Sequence, residues 1–95
     1  MKNKEDIIKL ISLTTERFAT EKDSFLRESL NCMLSTLKAN IQTSESMLQY
    51  LYQDACKRVG HLKDETLFNS YDDQEIRRKS LLTCIERDTY KWLLS

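Results

Sequence analysis

Proline is absent from this 95-residue chain, and glycine occurs once, at Gly60. Sheet proteins turn tightly and use both residues to do it. Their near absence argues against a many-stranded fold and for a few long elements. Valine also occurs once, whereas leucine occurs 14 times. Leucine beside a 32% share of charged residues is a helix-forming composition.

Histidine is nearly missing too. With His61 alone, the chain holds neither a two-histidine zinc motif nor the paired Glu-x-x-His of di-iron bundles. One glycine is too few for a glycine-rich phosphate loop. The cysteines, Cys32, Cys56 and Cys84, are odd in number and far apart. They contain no Cys-x-x-Cys and make a poor disulfide framework, which fits a reducing, cytoplasmic setting. The acidic pairs Asp64-Glu65 and Asp72-Asp73 sit where helices start, and acids there favour the helix dipole. No catalytic group, metal or cofactor is expected.

Excess charge of one sign is also lacking. Residues 1–50 carry seven basic and seven acidic side chains, and residues 51–95 carry eight of each. A dedicated nucleic-acid binder shows a basic excess or stripe. The one basic cluster is Arg77-Arg78-Lys79. No apolar run approaches the ~20 residues of a membrane span.

What is present is helical periodicity. Ile7, Ile11, Thr14 and Phe18 share a line, which predicts a helix over about 4–20. A corner follows at 20–24, where Asp23 or Ser24 is a fitting cap. Leu26, Leu30, Met33, Leu34, Leu37 and Ile41 then occupy about 100° of arc. The same phase continues through Leu48, Leu51, Tyr52, Ala55, Val59 and Leu62. The preferred reading is one central helix from about 24 to 59, ended by Gly60 in the left-handed conformation. The alternative is a helical hairpin with a turn near 40–44, where Thr43 and Ser44 are good caps. A connector over 61–71 and a last helix from Asp72 or Asp73 complete the chain. The expected fold is a single all-α domain over 1–95. It is an antiparallel bundle of three main helices, or of four if the turn forms.

Some apolar and basic residues stand off these stripes. Phe25, Cys32 and Ala39 recur every seven residues on a second line, and Leu13 and Tyr50 point away from their helices' main faces. A monomer's core needs only one face, so such residues suggest a partner surface. The candidate partner-binding residues are Leu13, Phe25, Cys32, Tyr50, Arg77, Arg78 and Tyr90. The expected function is non-enzymatic: a small regulator, chaperone, inhibitor or immunity protein. It would present an apolar helix face to a protein partner, and because a central helix of about 50 Å is too long for a compact monomer, two protomers would share a core as a homodimer. The alternative is a nucleic-acid-binding regulator using Arg77, Arg78, Lys79 and Arg87 of the last helix, which the charge balance disfavours.

Overall fold

Asn3 starts the first helix. Its Oδ1 accepts the Asp6 N–H at 2.8 Å, which satisfies one of the donors that a helix start leaves free. In the computed structural model this helix, α1, spans Lys4–Thr20. The structure describes residues 1–68 and 74–95, with the backbone alone for 63–68 and Gln74. The corner at 20–24 forms as its sequence suggests. Asp23 caps α2 (Ser24–Ala39) by accepting the Leu26 N–H at 2.9 Å. Arg27 clamps the corner: its Nη1 donates to the carbonyls of Phe18 at 2.9 Å and Glu21 at 3.0 Å. Its guanidinium also lies over the Phe18 ring, 4.2 Å from the centroid, a favourable cation–π geometry.

The single central helix does not form. The chain turns at 40–44, and α3 begins afresh at Glu45 and runs to Phe68. Polar side chains make this turn without glycine or any positive φ. Buried Asn40 donates Nδ2–H to the Thr36 carbonyl at 2.7 Å, and its Oδ1 accepts the Thr43 hydroxyl at 2.9 Å. Ser44 then caps α3, with Oγ accepting the Met47 N–H at 3.3 Å and its carbonyl accepting the Leu48 N–H at 2.9 Å. Ser44→Leu is therefore expected to cost ~0.5–2 kcal/mol, the usual loss for a removed cap. Thermal unfolding followed by circular dichroism checks this. An unchanged or raised midpoint would show that the cap carries no weight.

Gly60 does not end a helix. α3 continues through it, its φ is not positive, and a Cβ there would meet nothing within 4 Å. The start of the last helix at Asp72 or Asp73, and the side chains of Leu67, Phe68 and Tyr71, lie outside the described residues. The last helix, α4, is described over Gln74–Leu94.

Among the described residues the fold is all-α, with four helices. Neighbours in space are α1 with α2, α2 with α4, and α4 with α3. An ion pair ties α4 to each flank, Arg78 to Glu28 of α2 and Arg58 of α3 to Glu86. Cys32 of α2 also donates its thiol to the Leu82 carbonyl at 3.5 Å. The pairs 28–78 and 32–82 advance together, so α2 and α4 run in the same direction.

The core sits at one end, where α1 and α3 begin and α2 and α4 finish. Ile7, Leu37, Leu48, Ala55, Tyr90 and Leu93 form it. A backbone bond from Lys2 N–H to the Leu93 carbonyl, 2.9 Å, closes that end. The molecule is a slab of 45 × 35 × 16 Å. A square bundle with helices ~8–10 Å apart would have two short axes of similar length. The radius of gyration is 14.4 Å, against ~12.4 Å for a compact domain of this length. The row α1–α2–α4–α3 leaves broad faces that no helix among the described residues covers.

Candidate apolar interface

One broad face carries a continuous apolar trough. Leu10 of α1, Met33 of α2, and Ile85 and Trp92 of α4 line a hollow of about 320 Å³, with Asp88 and Thr89 at its edge. A second hollow of about 210 Å³ adjoins it and shares Met33 and Ile85. Leu26 and Leu30 add to its floor, and Arg17, Glu21 and Ser29 form its rim. The half of the stripe assigned from sequence to a core is thus split. Leu34 and Leu37 are buried, while Leu26 is 45% exposed.

The trough has shoulders. On α1, Leu13 lies within about 60° of Leu10 and Arg17 at 100° per residue, and it is exposed. On α4, Arg77, Leu81, Ile85, Asp88 and Trp92 follow one another at helical intervals within about 80° of arc. Leu81 is 50% exposed. Phe25, also exposed, stands about 40° from rim residue Ser29 on α2.

The partner-binding candidates divide. Leu13 and Phe25 belong to the shoulders of the trough. Tyr50, on α3, is exposed away from it. Cys32 is half-buried against α4, and burial with nearby Glu86 and Glu28 pushes its thiol up, away from the reactive thiolate. Tyr90 is in the core, its hydroxyl donating to Glu86 at 2.8 Å, so it is not presented to a partner. Burial and that carboxylate raise its phenol well above its ordinary value. Arg78 is committed to Glu28. Arg77 is exposed and makes no ion pair with a described residue. Met33 and Trp92 are partly buried against the core, as their helical spacing suggests, and the half-buried Ile85 joins them; what the sequence reading missed is that all three also line an open trough. The signal that could have found them is the spacing of Leu81, Ile85 and Trp92 around the charged Arg77 and Asp88.

The four cations of the nucleic-acid alternative do not make a free patch. Arg78 pairs with Glu28, and Arg87 donates to Asp88 at 3.1 Å. Between α3 and α4, a cavity of about 380 Å³ is lined by Arg58, His61, Leu62, Lys79, Leu82 and Thr83. Its Arg58 is already bonded to Glu86 and Asp54. Among the described residues no cluster of His, Cys, Asp or Glu could hold a metal, and no helix is long and apolar enough to cross a membrane.

Comparison with known protein families, curated proteins and solved structures finds no match to this chain.

Proposed function

We propose that this chain is a non-enzymatic protein-interaction protein that works by seating an apolar helix against the α1–α2–α4 trough. The observation that carries the reading is the trough itself, walled by Leu10, Leu26, Leu30, Met33, Ile85 and Trp92. Grooves of this kind take amphipathic helices through anchors one turn apart. A charged rim of Arg17, Glu21 and Asp88 sets register and direction. The partner is a protein, and pairing with a second copy belongs to this reading. Three free thiols are in keeping with a cytoplasmic setting.

The test places a photo-cross-linking amino acid at Ser29 or Leu81, at the trough, and at Asn31, on the far side of α2. The variants are irradiated in cells of the native host. Discrete protein adducts are expected at Ser29 and Leu81 and none at Asn31. Equal labelling from all three positions, or none from any, overturns the reading.

A further inference from the structure

We infer that the helix seated on this face is α4 of a second copy, packed antiparallel against α4 about a two-fold axis between Leu81 and Ile85. The inference rests on the interaction reading above and adds the occupant and its register.

The α4 strip is self-complementary. It reads Arg77, Leu81, Ile85, Asp88, Trp92 along one face. In an antiparallel pair, facing residues have a constant sum of positions. Leu81 opposite Ile85 of the second copy gives 166, and Arg77 opposite Asp88 gives 165. The two sums differ by one residue, about 1.5 Å of rise, which the long Arg77 side chain spans, so nearly one register brings the apolar residues together and sets opposite charges across from each other twice, once at each side of the axis. The symmetry point falls about one to one and a half residues before the midpoint of Gln74–Leu94, so the helices overlap along nearly their whole length, ~28 Å. Arg77 and Asp88 are both exposed. Asp88 engages only its chain neighbour, Arg87, among the described residues. Leu30 and Met33 of α2 close one flank of the seat.

The area agrees. The chain exposes 6671 Å². A compact monomer of its mass, 11.3 kDa, exposes about 5,700 Å². The excess, roughly 900 Å², belongs to the whole flat slab rather than to the α4 strip alone, and it leaves room for a standard interface of ~800 Å² per partner. A two-fold pair of like surfaces is also the commonest way for a chain to complete itself.

Charge reversal tests the register. Arg77→Asp, Asp88→Arg and the double exchange are compared with the wild type by sedimentation over a wide range of protein concentration, with circular dichroism confirming helix content. The wild type should sediment at twice the chain mass. Each single reversal sets two like-charged pairs face to face and should weaken pairing about tenfold or more. The double exchange restores attraction and should recover pairing to within about threefold of wild type. A wild type that stays at the chain mass throughout, or a dimer indifferent to both reversals, overturns the inference. Binding of the apolar dye anilinonaphthalene sulfonate separates this from failure of the broader reading. A monomer that binds dye, and loses it in Ile85→Glu, keeps an open interaction face and loses only the second copy as occupant. A monomer that binds none loses both.

Discussion

Leu93→Ala is expected to cost ~2–5 kcal/mol of folding stability, and Leu37→Ala a similar amount, whereas Leu26→Ala should cost less than about 1 kcal/mol. All three are leucines on helix faces, and composition does not separate them. Position does. Leu37 and Leu93 are fully enclosed, at 0% exposure, in the cluster where the four helix ends meet. Removing three carbon atoms there loses their transfer energy and leaves a cavity that neighbours on several helices cannot all relax to fill. Leu26 lies at the open end, on the floor of the trough, and keeps much of its surface in water already. A chain of this length holds a total stability of only ~5–14 kcal/mol. Either core change therefore removes a large share of it. Urea unfolding followed by helix content is the measurement. The midpoint should fall steeply for Leu37→Ala and Leu93→Ala with an unchanged slope, and little for Leu26→Ala at concentrations where the chain is monomeric. A Leu26→Ala cost as large as that of Leu93→Ala would mean that the trough is closed and packed in the monomer.

That contrast marks how far the sequence could be read. Helical class followed from missing proline and glycine and from leucine at 3.6-residue spacing. The bounds of α1 and the Asp23 cap were legible because periodicity and capping chemistry agree there. The turn at 40–44 was harder. Both α2 and α3 happen to keep one phase across it, and phase alone reads as a continuous rod. What breaks the rod is local: Asn40, Thr43 and Ser44 satisfy the backbone groups that two helix ends leave free. Gly60 misled in the opposite sense. A glycine costs a helix only about 1 kcal/mol relative to alanine, which packing of Val59 into the interior can offset. The trough was least legible. Periodicity says that Leu26, Leu37, Ile85 and Leu93 each face something, and it is silent on whether that something belongs to the same chain. The slab arrangement of helices decides it, and it depends on contacts far apart in sequence, such as Glu28 with Arg78.

Arg58→Met is expected to lower stability by about 1–2 kcal/mol at neutral pH, and the loss should shrink in acid. Arg58 of α3 holds Glu86 of α4 through two bonds, Nη1 to Oε2 at 3.0 Å and Nη2 to Oε1 at 3.1 Å. Asp54 at 2.9 Å fixes the guanidinium from one turn away, and the Tyr90 hydroxyl donates to the same carboxylate. Breaking a fully buried pair by removing one partner costs ~3–5 kcal/mol, because the other charge is stranded. Water reaches the outer side of Arg58, whose side chain is 42% exposed, and this brings the figure down to about 1–2 kcal/mol. The Arg58 guanidinium is the main reason that the Glu86 carboxyl is held below its ordinary value of 4.5, against a burial that would raise it. A carboxyl with a lowered folded value stabilises the fold above its unfolded value. That contribution is lost as pH falls through the folded one. The wild type should therefore lose stability progressively below about pH 4.5. In Arg58→Met the stranded carboxylate takes up a proton at higher pH, which relieves the penalty, so the two stability curves should converge in acid. Glu86→Gln should begin less stable at pH 7 and lose less than the wild type between about pH 5 and pH 2. Urea midpoints measured across that range give the result. Parallel curves for wild type and Glu86→Gln would show that the α3–α4 ion pair contributes nothing to the fold.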